Sequence, residues 1–301
     1  MKKSIFIALS TLALSPAILH AQEKTTETTI VTKEKNGDVE MYVIENKDNQ
    51  DTSKKNSTYI SIGSNGIRVS DKKKEAAYKK KRFQVQWGML DLGLNMLNDQ
   101  TVYNVADPAL MNNFANIPAD QVNGDLFSIK NGRSWNVNIY PVMFNYKVVN
   151  QKNFKMNLYT GVGLQIYNFR FDKNITFQSD PNYKIKMDDV AFTKNKLSVQ
   201  YLTVPLMLNF NHRVDKSNWI TYGFGASFGY RLSSWTKQIS GERGKVKNND
   251  QFNFSDYNVN LNAEIGFGEV RFYGSYQLTN LYRDASITHQ PISFGIRFGG
   301  I

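Results

Sequence analysis

The chain of 301 residues carries 37 Lys plus Arg against 26 Asp plus Glu, a formal net charge of +11, and no cysteine. Without a thiol, a disulfide framework, a thiolate metal site and a lipidated N-terminal cysteine are all excluded. The basic balance suits nucleic acid or an anionic membrane surface, and the export features of the N-terminus favour the membrane and speak against nucleic acid.

Residues 1–21 read as a secretory signal peptide. Lys2 and Lys3 form the charged start, an apolar run follows from Ile5 to Leu19, and Ala21 is the expected cleavage point. A membrane-anchoring helix is the alternative, but the run is shorter than the ~20 residues a spanning helix needs. Removal of Lys2 and Lys3 lowers the net charge from +11 to +9.

Residues 22–81 are polar and too poor in large apolar side chains to build a core alone. Asn36-Gly37 and Asn65-Gly66 each sit between short alternating segments, Thr29 to Val31 with Val39 to Ile44 and Tyr59 to Ile62 with Ile67 to Val69. Asn-Gly supplies the two positive-φ positions of a tight hairpin turn, so the segment is read as small hairpins or as a disordered tether, facing the periplasm. Lys72 to Arg82 is a basic run placed to meet headgroups or to serve as a solvated linker.

From Arg82 onward the predicted elements are eight strands, at about 82–96, 133–148, 154–171, 196–212, 219–235, 252–267, 270–282 and 290–299. Their faces alternate. Tyr222, Phe224, Ala226, Phe228, Tyr230 and Leu232 share one side, while Gly223, Gly225, Ser227, Gly229 and Arg231 share the other. Strand one changes parity between Trp87 and Leu90, which a bulge near Gly88 would reconcile. Linkers at 97–132, 172–195 and 236–251 are long, and every second linker is short. Parity-sorted loops and an even strand count point to an all-β fold: an eight-stranded antiparallel up-and-down transmembrane β-barrel, residues 82–301, in the outer membrane of a Gram-negative bacterium. The long loops face outward.

So narrow a barrel has an interior just wide enough for side chains to fill, which disfavours a pore or small ligand transporter. The residues expected to plug it are Tyr159, Tyr167, Tyr273, Gln165, Gln277, Arg231, Glu264, Arg271 and Arg297. Among these Glu264, Arg271, Arg297 and Arg231 form the predicted lumen charge cluster, with a structural role and with Glu264 paired to Arg271, Arg297 or both. Gly161, Gly163, Gly223 and Gly225 lie inside strands and are assigned to lumen packing.

Catalytic candidates are sparse. His212 and His289 fall at opposite ends of the barrel and cannot share a metal. His289 with Ser286 or Ser293 is the one base and nucleophile pairing that a lipid-modifying enzyme could use. Asp188-Asp189, Asp99, Asp107, Asp120 and Asp125 read as solvated loop acids without calcium-loop spacing. No catalytic, cofactor-binding or metal residues are assigned, and a non-enzymatic protein is expected.

Three stretches carry a family resemblance: Trp87-Gly-Met-Leu-Asp-Leu-Gly-Leu-Asn95, Tyr201-Leu-Thr-Val-Pro-Leu-Met-Leu-Asn-Phe210 and Ile292-Ser-Phe-Gly-Ile-Arg-Phe298. Over residues 82–301 the chain resembles the PorT-like outer-membrane β-barrel family of the Bacteroidetes. The resemblance implies an eight-stranded barrel and a link to protein secretion, and brings no catalytic residues. The role read from the whole sequence is anchoring, adhesion or service to an envelope complex through the outer loops. Its partners would be outer-membrane lipid and lipopolysaccharide, the barrel insertion machinery, and envelope or secretion proteins.

Overall fold

The computed structural model describes the backbone of residues 27–35, 38–46, 57–63 and 66–71, and residues 82–299 apart from 180, 182, 216–217, 268–269 and 285. The signal segment, its cleavage point, most of the basic run 72–82 and the two Asn-Gly turns lie outside the described residues.

Strands β1 (Glu27–Lys35), β2 (Asp38–Asn46), β3 (Ser57–Gly63) and β4 (Gly66–Asp71) form an antiparallel meander. The meander meets the barrel through one register pair, Ile67 opposite Trp87.

β5 (Phe83–Asp99) begins the barrel, and the 36-residue linker of the sequence reading holds a short helix α1 (Pro108–Met111) and a two-residue strand β6 (Phe114–Ala115). β7 (Trp135–Asn150) and β8 (Phe154–Arg170) follow, then two loop strands, β9 (Ile175–Phe177) and β10 (Ile185–Met187). The second half runs through β11 (Lys194–Arg213), β12 (Trp219–Ser240), β13 (Gly244–Asn249), β14 (Tyr257–Phe267), β15 (Val270–Gln277) and β16 (His289–Phe298). Each of β5, β7, β8, β11, β12, β14, β15 and β16 pairs with the next, and β16 pairs back to β5, so eight antiparallel strands close a ring.

The wall is inside out relative to a water-soluble domain. Phe224, Leu206, Ile265 and Phe272 face outward and are more than half exposed, whereas Asp91, Asn138, Asn209 and Asn260 are buried in the lumen. Aromatic rings flank the apolar band: Phe154, Phe210 and Tyr222 near the short turns, Tyr230, Tyr257 and Trp135 toward the long loops. An apolar exterior between aromatic girdles around a polar interior is the signature of a transmembrane β-barrel. No described helix is long and apolar enough to cross a membrane.

The change of parity in β5 is real. Gly88 has φ +74°, Gln84 and Gln86 face inward before it, and Met89, Asp91 and Asn95 face inward after it. β7 turns over at the same level, where its register with β8 shifts between Ile139 and Val142 around Pro141, a residue with no N–H to lose. Around Pro205, by contrast, the register of β11 with β12 is continuous.

Three boundaries differ from expectation. Residues 236–251 form a hairpin rather than an open loop, because β12 runs on to Ser240 and β13 pairs with it from Gly244, whose φ of +62° closes the turn. β14 starts at Tyr257 instead of 252, since Phe252 and Asn253 adopt positive φ and send the chain round a corner. β15 stops at Gln277, beyond which Leu281 and Tyr282 turn inward to pack.

Candidate functional site

The lumen is filled in layers. Met89, Tyr140, Met143, Tyr159 and Met207 form one small apolar cluster. Glycines opposite them make the room: a Cβ on Gly163 would stand 2.4 Å from the Tyr140 ring, and one on Gly225 would stand 2.8 Å from Met207 Sδ.

Beside this cluster lies a buried ionic network. Arg297 Nε and Nη2 donate to the two oxygens of Asp91 at 2.7 and 2.8 Å. Its Nη1 donates to Glu264 Oε2 at 2.6 Å and to the Tyr159 hydroxyl at 2.9 Å. Arg271 Nη1 lies 4.0 Å from the same Glu264 oxygen. Asn209 donates to Glu264 Oε1 at 2.5 Å and Asn138 donates to Asp91 Oδ2 at 3.1 Å. The structure thus brings Glu264, Arg271 and Arg297 together, with Glu264 opposite Tyr273 and Arg271 opposite Arg297.

Two features of the predicted cluster need correction. Arg231 does not belong to it: its guanidinium donates to Ser255 O, Ser234 Oγ and, at 2.7 Å, Asp256 Oδ1, at the base of a long loop. Asp256 is shared there with Arg283 at 2.6 Å. Asp91 is the residue sequence reasoning missed. With it the network holds two carboxylates and two guanidiniums and is neutral, whereas Glu264 alone left an excess of positive charge. The signal was the parity change at Gly88, which determines that Asp91 faces inward.

Above the network, Tyr167, Tyr201, Gln165, Gln277, Asn258 and Asn260 fill the lumen, with Tyr167 donating to Asn260 Oδ1 at 3.1 Å. The long loops then continue the filling. Leu110, Phe114, Leu126 and Phe127 from the first, Ile175, Phe177 and Ile185 from the second, Phe252 and Phe254 from the third, and Leu281, Tyr282 and Ile287 from the fourth form one cluster with Tyr167 and Tyr201. Backbone pairing ties them: β10 pairs with β6 in parallel and with β9 antiparallel, and Phe254 bridges to Tyr282. Asn113 donates to Ser286 Oγ at 2.7 Å, joining the first and fourth loops.

These loops are therefore a folded cap, and not all of their acids are solvated as expected. Asp188 is buried, 3.0 Å from Arg243 Nη1 and 3.9 Å from Lys186 Nζ. Burial pushes its pKa up, but the Val190 N–H, the Arg243 hydrogen bond and the charges of Arg243 and Lys186 outweigh that and hold it below the ordinary 3.8. Asp99 lies 3.4 Å from His289 Nε2 and accepts from the Tyr103 hydroxyl at 2.5 Å. Asp107 caps α1 through the Ala109 N–H. Asp120 and Asp125 remain exposed.

His289 is buried between Phe127 and Tyr282, at ring-centroid distances of 4.4 and 5.3 Å. Neither candidate nucleophile is bonded to it: Ser286 accepts from Asn113, and Ser293 donates to Asn95 Oδ1 at 2.7 Å, four positions along β16. His212 stacks on Tyr222 and meets the Phe154 ring at a tilt, at the other end of the barrel. Among the described residues no group of three or more His, Cys, Asp or Glu side chains is arranged to hold a metal.

The cap carries a cleft of about 360 Å³ between the second loop and the β12–β13 hairpin, lined by Thr176, Lys186, Asp188, Gln238, Arg243 and Asn248. Gln238 reaches across its floor to Thr176 Oγ1 at 2.8 Å.

No family model and no curated protein matches the chain. Among solved structures it is similar to Ail, the attachment invasion locus protein of Yersinia pestis, at 8% identity and a TM-score of 0.25, covering 71% of this chain and 98% of that one. The eight-stranded ring rests on this chain's own strand pairing and not on that likeness.

Proposed function

We propose that the protein is a non-enzymatic outer-membrane β-barrel that anchors, adheres or assists an envelope complex through its long loops, which face the cell exterior. The observation that carries this reading is the cap: four loops share one apolar core above a filled lumen, so the fold presents a shaped, ordered surface at one end. Ordered loops on a rigid scaffold are where binding residues concentrate. The packed lumen supports a role at the surface rather than conduction. The engagement of Ser286 and Ser293 away from His289 supports recognition over hydrolysis.

The PorT-like resemblance favours a secretion or envelope complex as the partner, with surrounding lipid and the insertion machinery as the other contacts. The test is photo-crosslinking from the cleft. A crosslinking residue at Asn248, in intact cells, is expected to capture a discrete envelope protein. The same residue at Lys152, on a short turn, serves as the comparison. An identical crosslinking pattern from both positions would contradict the reading.

A further inference from the structure

Above the lipid-facing wall, the outward face of β8, β11, β12 and β13 carries cations in register. Arg170 is opposite Lys196, Lys196 opposite Lys237, and Lys237 opposite Lys247. Four cations thus stand abreast on four adjacent strands, across about 15 Å at ~4.8 Å per strand. One rung further out, Lys194 and Lys245 flank Ile239. Like charges directly opposite on neighbouring strands repel. Among the described residues no carboxylate lies within ion-pair distance of any of the six; the nearby loop acids Asp172 and Asp188 pair with Lys130, Lys186 and Arg243 instead.

Two details show a surface prepared for an anion. Arg170 Nε is enclosed without a hydrogen-bond partner. The Lys196 and Lys247 ammoniums both lie over the Trp235 ring, 4.6 and 4.7 Å from its centroid, which holds two like charges side by side. Below them, Gln200 and Ser198 separate the cations from Leu202, the outward-facing apolar residue of β11 nearest its loop end.

We propose that this face binds the phosphates of a multiply phosphorylated glycolipid in the surrounding leaflet. The charge count selects the ligand, because one phosphodiester headgroup would leave most of six cations uncompensated. Height agrees. Lys196 lies four positions beyond Gln200, about 10 Å along the membrane normal at ~3.3 Å per residue and ~40° tilt, and Lys194 about 15 Å. A phospholipid headgroup layer extends only about 5–8 Å beyond the hydrocarbon, so the rows reach into the sugar layer of a glycolipid. Half-buried Gln200, below the rows, lies at the headgroup level, while Ser198 between them is covered. The proposal rests on the reading that the long-loop end meets the outer leaflet.

The test uses the full-length barrel in phosphatidylcholine nanodiscs, with binding of bisphosphorylated lipid A, dephosphorylated lipid A and free inorganic pyrophosphate measured by native mass spectrometry. Tight binding of bisphosphorylated lipid A is expected, weakened about a hundredfold by Lys196→Gln, Lys237→Gln and Lys247→Gln together, at roughly fivefold per charge. A Lys130→Gln, Lys152→Gln and Lys173→Gln protein should bind as the wild type does. Equal binding by wild type and the first triple variant, or equal binding of dephosphorylated lipid A by the wild type, would overturn the proposal. So would pyrophosphate bound as tightly as lipid A, since the face would then read soluble polyanions. The wild-type arms need no variant to fold, and binding in nanodiscs is independent of the crosslinking that tests the loop surface.

Discussion

Arg297 satisfies two carboxylates and a tyrosine hydroxyl at once, and all three partners are buried with it. Replacing one partner of such a network leaves a buried charge uncompensated, at a cost of about 3–5 kcal/mol. Asp91→Asn and Glu264→Gln should each lower thermal stability far more than Asn262→Gln, whose amide donates to Ser227 Oγ at 3.0 Å. Detergent-gel melting of the three variants checks this, and equal midpoints would contradict it. Space matters as much as charge. At Gly163 a Cβ would meet Tyr140 at 2.4 Å and Ile139 O at 2.7 Å, so Gly163→Val should destabilise by about 1–3 kcal/mol or more, while Gly132→Ala, with nothing within 4 Å, should not.

At the scale of elements, the cap is held by contacts between segments distant in sequence. Asp188 ties the second loop to the β12–β13 hairpin through Arg243, and its depressed pKa gives the contact a direction in pH. A carboxylate lowered in the folded state stabilises fully above its ordinary value of 3.8, and that stabilisation is lost as pH falls through the folded pKa. Protease sensitivity of residues 172–195 should therefore be flat near neutrality and rise in acid, and Asp188→Asn should raise it already at pH 7. Flat sensitivity into acid would contradict the tie. The barrel strands were legible because apolar and polar residues alternate along Tyr222–Leu232 and Tyr257–Phe267 with few exceptions. The cap was not legible: Leu110, Phe127, Phe177 and Phe254 follow no period, and only the closed ring brings their loops together. Asp91 was hidden for a local reason, since a single positive-φ residue, Gly88, reverses every side chain after it. Arg231 misled in the opposite way: it shares the lumen parity but lies at the loop end, where Asp256 is nearer.

For the whole molecule, an apolar exterior, a neutral packed lumen and one capped end describe a barrel whose two ends differ in kind. Native and boiled samples should migrate differently on a detergent gel, as a closed ring of eight hydrogen-bonded strands resists detergent until heated. The sequence contains no cysteine, so single introduced cysteines report position without background. The most direct measurement is labelling of intact cells with a membrane-impermeant maleimide, comparing Glu242→Cys at the tip of the β12–β13 hairpin with Lys152→Cys on the short turn between β7 and β8. The expected result is strong labelling at position 242, and labelling at position 152 only after the outer membrane is permeabilised. Labelling of 152 but not 242 in intact cells would reverse the orientation, and equal labelling of both in a soluble, heat-insensitive protein would contradict the membrane barrel itself.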